Sequence, residues 1–336
     1  GVAFLLEKSL SSDEKVLPPE VPFNENNVPA SFDTNETVPD ENFFKLVQKA
    51  DPNGYVVGVG VGNTFSLLEC FKSEATPKGI ILADIDPRIV VIGKMMIQSF
   101  EQCGTFADFE RSFLNLSPVD FSSRLKEIIN SQEPEFKRRL EQVPDGQWEK
   151  LRQEFSGIGR IAEDQLIRRG GRLRPIVAIK RNYDKLHRLA KTGNIGIFYS
   201  DFLNNEFIQT VRNLPEFLQL RNIIYASNII DHITNRWNLS KPEDYDKWTY
   251  PESDKSNALE VLKQYTGDYA PVFIDTSMMF SYNLRAGRVV TEVVPVQTSF
   301  DQISRYFMHR PQYPDSTPLV NMKTTGSWDS FARQWT

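Results

Sequence analysis

Two cysteines, Cys70 and Cys103, among 336 residues exclude a disulfide-stapled fold, and neither stands at metal-ligand spacing. Cys70 lies in the apolar run LLECF and reads as a buried structural thiol. No apolar run reaches the roughly 20 residues that a membrane-spanning helix needs. Charge of one sign is also scarce. Lys and Arg total 39 against 44 Asp and Glu, a net of -5. Nonspecific nucleic-acid affinity comes from phosphate neutralisation, so a general polyanion binder is disfavoured. The sequence shows no Ser-His-Asp order, metal-ligand cluster or Walker-type lysine. The chain begins at Gly1 rather than Met, which reads as a processing scar or fusion remnant. The compartment therefore stays open, with a soluble, cytoplasmic protein as the default.

What is present divides along the chain. Residues 1–41 carry five prolines and nine acids against two lysines, and read as an extended N-terminal arm. ENFFKLVQKA then fits a helix, stopped by Asp51-Pro52-Asn53-Gly54. Tyr55–Val59 is short, apolar and β-branched, as suits a strand covered on both faces. A helix over Thr64–Lys72, a strand over Ile80–Ile85 and a helix from Pro87 to Phe100 follow; proline suits a first helical turn, whose amide has no partner. Residues 101–193 read as a helical insertion or lid. Its apolar positions recur at helical spacing, with Phe121, Leu125 and Ile128 in one helix and Trp148, Leu151 and Phe155 in another. Ile176 to Ala190 forms a further helix, stopped by Gly193.

From 194 the alternation of strand and helix returns. Strands are expected at Ile195–Tyr199, Asn222–Ala226 and Val272–Asp275, helices at Asn205–Leu214 and Ala258–Tyr265. RVVTEVVPV, Arg288–Val296, reads as a late edge strand because of Pro295. Residues 301–336 read as a C-terminal surface segment. The fold class is thus α/β, a doubly wound and mostly parallel sheet built from 42–100 and 194–300.

One stretch, YVVGVGVGNTFSLLECFKSEATPKGIILADIDPR, concentrates the chemistry. Gly58, Gly60 and Gly62 follow the first strand, where missing side chains let the backbone turn tightly and approach a ligand. A dinucleotide fingerprint wants a third glycine at Asn63 or Phe65, according to register, and neither position has one. The second strand ends in Ala83-Asp84-Ile85-Asp86-Pro87. Asp84 is placed to accept hydrogen bonds from ribose hydroxyls, whereas Asp86, just before Pro87, is placed to cap the next helix.

These residues resemble the class I S-adenosylmethionine-dependent methyltransferases. That family's first motif is a strand ending in an acid, then G-x-G-x-G. V-V-G-V-G-V-G-N-T supplies Gly60 and Gly62, with Gly58 in place of the acid and Thr64 in place of the last glycine. A-D-I-D-P resembles the second motif, which implies ribose contact by Asp84, with Ile85 beside it. Y-S-D-F resembles the third, which implies that Asp201 meets the adenine amino group and Phe202 packs on its ring. Y-A-S-N-I-I-D-H-I resembles the fourth, where Ser227 and Asn228 would face the methyl donor and substrate.

The resemblance spans 42–100 and 194–296. It implies a Rossmann-like methyltransferase fold, S-adenosylmethionine as cofactor held by Gly58, Gly60, Gly62, Asn63, Thr64, Asp84 and Asp201, and a methyl acceptor of unknown class. Asn228, Asp231 and His232 are the candidates around that acceptor, because a histidine of near-neutral pKa suits proton removal from a nucleophile. Adjacent Asp231 and His232 cannot share one helical face, and His187 and His309 read as surface residues. Lys137–Lys191 carries fifteen basic residues against seven acids, densest at RRGGRLRP. A nucleic-acid platform is one reading; a solvated helical face balanced by the acidic arm is the plainer one, since no aromatics interleave the arginines. The competing reading for the whole chain is a non-catalytic binding protein that kept the sheet while its cofactor pocket decayed.

Overall fold

A computed structural model describes residues 1–10, 17, 18, 20, 23, 47–71, 75–158, 175–227, 261, 264–269, 271–283 and 288–298. Its centre is one sheet of six strands: β1 Tyr55–Val59, β2 Gly79–Asp84, β3 Ile195–Tyr199, β4 Ile223–Ser227, β5 Val272–Asn283 and β6 Arg288–Thr298. Their spatial order is β3-β2-β1-β4-β5-β6. The first five lie parallel, and β6 runs antiparallel to β5. The chain is therefore α/β, with a parallel sheet flanked by helices.

Why the strands read as unbroken apolar runs is visible in where their side chains go. Val56, Ile80, Leu82, Ile197 and Tyr225 enter one core. Tyr55, Val57, Ile81, Ala83 and Ile224 enter a second core on the opposite face. Period-two alternation with both faces covered removes every polar position from the strand.

The first core is closed by helices α3 Pro87–Gln102, α4 Pro118–Asn130, α5 Pro134–Glu141, α6 Asp145–Ile158, α7 Pro175–Arg181 and α8 Tyr183–Lys191, all lying between β2 and β3 in sequence. Short α2, Gly62–Ser66, joins it from the turn after β1. α3 and α4 start on proline behind an extended residue, as suits a first helical turn. The second core is closed by α1 Val2–Leu10 and α9 Asn205–Arg212.

Several elements differ from the sequence reading, among them the helix expected over Thr64–Lys72, which is short α2 followed by a 3-10 turn over Leu67–Cys70. The arm expected to be extended begins as a helix, because Val2, Leu6 and Leu10 recur every fourth residue and are buried against the sheet. The proline-rich stretch behind them obscures that nine-residue pattern. The helix expected across 176–190 breaks at Asn182, whose side-chain amide bonds back to the carbonyl of Ala178. His187, expected at the surface, sets Nδ1 2.7 Å from the carbonyl oxygen of Phe100. ENFFKLVQKA is described only from Val47, and the expected helix over 258–265 lies mostly outside the described residues, as does 301–336. Among the described residues no helix is long and apolar enough to cross a membrane.

Candidate functional site

Parallel strands end on one side of a sheet, so the loops after β3, β2, β1 and β4 open on a common edge in that order. The chain leaves β1 toward β2 on one side and enters β4 on the other. This reversal between β1 and β4 makes the crevice in which open α/β sheets hold ligands. Asp201, Asp84, Gly60 and Ser227 stand at or just after those four ends.

The turn after β1 is built around Gly60, at φ +73°, a backbone region that side chains strongly disfavour. Its amide donates to the Ala83 carbonyl at 3.3 Å, tying the turn to the end of β2. Among the described residues, a Cβ placed on Gly60 would meet one neighbour, Asp84 Oδ2 at 3.9 Å, an ordinary contact distance. The carboxylate thus faces the glycine turn.

Gly58 is different. A Cβ there would lie 2.4 Å from Thr64 Oγ1 and 2.9 Å from its Cγ2. Thr64 is buried, and its hydroxyl donates to the Val59 carbonyl at 3.3 Å. The two departures from the methyltransferase pattern are therefore one packing event. Gly58 exists to admit the threonine side chain, and an acid could not stand there.

At the end of β2 two carboxylates take opposite roles. Asp86 caps α3 by accepting from the Arg88 amide at 2.9 Å, as its position before Pro87 predicts. It also accepts from Arg88 Nε at 2.9 Å and Nη2 at 2.6 Å. Arg88 Nη1 continues to Gln147 Oε1 on α6 at 2.6 Å, and the Phe23 ring lies 4.9 Å from the guanidinium carbon. The Arg88 side chain is wholly buried. Asp84 accepts the Asp86 amide at 2.8 Å and has no cation against it among the described contacts. Its pKa is pushed up to about 7, first by burial and then by the negative charge of Asp86. The amides of Asp86 and Ile85 and the more distant Arg88 oppose that rise without cancelling it.

After β3, Asp201 is partly exposed and accepts the Leu203 amide at 2.9 Å, which fixes the loop. Phe202, which the resemblance places against an adenine ring, has its ring buried in the second core, stacked on Tyr265 with centroids 5.1 Å apart. Ser227 ends β4, in register with Asp275 of β5. Gly62 is buried in the turn behind Gly60, and the backbone of Asn63 runs in α2. Asn228, Asp231 and His232 lie outside the described residues.

Sequence reading missed Arg88 and Gln147, which pin the helical block to the β2 end. One local signal existed. A cation in the first turn of a helix opposes the helix dipole, so Arg88 needed a nearby carboxylate. Of the basic region, Arg138 pairs with Glu135 and Glu20, and Arg152 with Glu149, so these described members form ion pairs rather than a bare basic face. RRGGRLRP lies outside the described residues except for Pro175. Among the described residues no group of three or more His, Cys, Asp or Glu could hold a metal.

Fold and site together define an α/β protein in which four adjacent parallel strands bring Asp201, Asp84, Gly60 and Ser227 to one edge of the sheet. Residues 32–246 match the family described as a domain of unknown function (DUF7790), a span covering more than half of the chain, and the protein belongs to that family. The matched span runs through β1 to β4 and the whole helical block between β2 and β3. No curated protein matches the chain.

Proposed function

We propose that this protein is an S-adenosylmethionine-dependent methyltransferase, transferring a methyl group to oxygen or nitrogen of its acceptor. The reading rests most on one observation: Asp84 at the end of β2 faces the turn at Gly60, which follows β1 and so borders the reversal between β1 and β4. Support also comes from the sequence β3-β2-β1-β4-β5 in space, with an antiparallel strand beside β5, the arrangement expected of the Rossmann-like methyltransferase fold.

In this reading the ribose lies between Gly60 and Asp84, and Asp201 approaches the base. Asp84 accepts from a ribose hydroxyl in its ionised form, so ligand binding draws its pKa down from about 7. The chain's part in catalysis is positioning. It holds the electrophilic methyl in line with a nucleophile about 3 Å away and excludes water. The methyltransferase resemblance assigns Ser227 and Asn228 to donor and acceptor, and Asp231 or His232 to the proton that the nucleophile loses.

A second reading, a non-catalytic binder, is favoured by Thr64, whose side chain fills the space under Gly58 where the family carries an acid. Calorimetric titration of the full chain with S-adenosylhomocysteine separates the two. Micromolar binding that is lost in Asp84→Ala supports the enzyme. Absence of heat at millimolar ligand supports the binder.

A further inference from the structure

Four described residues of the N-terminal arm, Leu17, Pro18, Glu20 and Phe23, lie against the helical block beside the carboxyl ends of β2 and β3. Pro18 is buried, and its carbonyl accepts from Arg139 Nη1 of α5. The same nitrogen donates to the Tyr199 hydroxyl, at the end of β3, at 2.6 Å. Phe136, one turn before Arg139, stacks on the Tyr199 ring with centroids 4.3 Å apart. Glu20 pairs with Arg138 at 3.0 Å, and the Phe23 ring lies 4.9 Å from the guanidinium carbon of Arg88. Arg88, Arg138, Arg139 and Tyr199 all fall inside the family span 32–246, whereas the arm residues fall outside it. A segment accessory to the matched domain is thus seated on a groove of that domain.

The contacts that hold this segment are light. Glu20 and Arg138 are both half-exposed, and Arg138 already has Glu135 at 2.6 Å, so the Glu20 pair opens at little cost. Arg139 Nε has no hydrogen-bond partner among the described residues. Leu17 and Phe23 are only partly buried. Prolines 18, 19 and 22 restrict the backbone before it docks, so docking costs little ordering. Beneath this segment, by contrast, Arg88 is wholly buried and matches the charge of Asp86 at the head of α3.

We propose that the groove recognises the chain's own proline-rich, acidic arm as a releasable strap over the end of β2. Docked, the strap keeps water from the Asp86–Arg88 pair, whose attraction weakens steeply as the local dielectric rises. Released, it loosens that pair and the strand end behind it. The Asp86 amide donates to Asp84 Oδ1, so the strap acts on the candidate site from two residues away. The proposal is independent of the methyltransferase reading.

The test is amide hydrogen exchange on the full chain, read at Asp86 and Arg88, whose amides donate to Asp84 Oδ1 and Asp86 Oδ1. Glu20→Lys combined with Phe23→Ala should speed exchange at both about tenfold, on the order of one partly desolvated cation–π contact. Exchange at Ile81, in the middle of β2, should stay unchanged. The peptide KVLPPEVPFNE, residues 15–25 of the chain, should restore protection in that variant when added at about 1 mM, the order of concentration that a short tether supplies. The same peptide carrying Phe23→Ala should not. The proposal is overturned by unchanged exchange at Asp86 and Arg88, or by equal acceleration at Ile81, which would make the arm part of the global fold. It is also overturned if the peptide restores nothing, or if its Phe23→Ala form restores protection equally.

Discussion

Asp84 and Asp86 stand two residues apart at the end of one strand, yet their surroundings treat negative charge in opposite ways. Around Asp86 the protein commits a bidentate guanidinium, a helix amide and, through Arg88, a glutamine from the helical block. Around Asp84 it supplies backbone amides and no described cation, and lets burial push the carboxyl up to about 7. Fully matched charge is what a structural joint needs. Charge left short of partners suits a site that completes itself with a ligand. The joint and the cleft share a peptide, so the joint also fixes where Asp84 points.

Breaking the joint should have the largest effect. Arg88→Met strands Asp86 as a buried, unpaired carboxylate and should cost about 3–5 kcal/mol in urea denaturation. Asp86→Asn combined with Arg88→Met should lose clearly less than Arg88→Met alone. If the single variant loses under about 1 kcal/mol, the joint is not structural.

The floor of the cleft comes next. Gly58→Ala drives a methyl group into Thr64 and should cost about 2–3 kcal/mol. Adding Thr64→Ala should return much of that loss, because the two positions are in contact. Strict additivity of the two changes in a double-mutant cycle would contradict their coupling.

Asp84→Asn should act with the opposite sign. The folded pKa of Asp84 is raised above its unfolded value, so its favourable contribution is complete below about 4 and disappears as pH rises through 7. Above pH 7 the ionised, buried carboxylate burdens the fold. Asparagine should then be more stable by on the order of 2 kcal/mol, a figure held down because Asp84 keeps some contact with water. Melting temperatures across pH 4 to 9 read this directly, and a variant that is destabilised at high pH refutes the raised pKa.

The smallest effect belongs to the surface. Lys78 and Glu216 pair at 2.5 Å but are substantially exposed. Lys78→Ala should change stability by less than about 0.5 kcal/mol, which sets the baseline for the buried pair.

How far the sequence revealed these features depends on the range of the interaction. β1, β3 and β4 were readable within a residue because a strand covered on both faces is a continuous apolar run. Helix α3 was readable because Asp86-Pro87 is a local start signal. Helix α5 was not, since five of its eight residues are charged and only Phe136 and Leu140 are buried apolar positions. β5 continues to Asn283, eight residues past the expected end, through TSMMFSYN, whose Thr, Phe and Tyr favour a strand but are interrupted by serines that blur the pattern. The contrast between Asp84 and Asp86 was half legible. Proline placed Asp86 at a cap, but the Arg88 that neutralises it is held in turn by Gln147, far along the chain. The Gly58–Thr64 contact read as two separate losses of motif, because only packing shows that one admits the other.

The central claim is that the space between Gly60 and Asp84 holds the sugar of a nucleoside cofactor. Co-crystallisation of the full chain with S-adenosylhomocysteine at pH 8 tests it most directly. The account predicts ribose hydroxyls within hydrogen-bond distance of Asp84, with the base beside Asp201. A ligand bound elsewhere, or an empty cleft at saturating concentration, would contradict it.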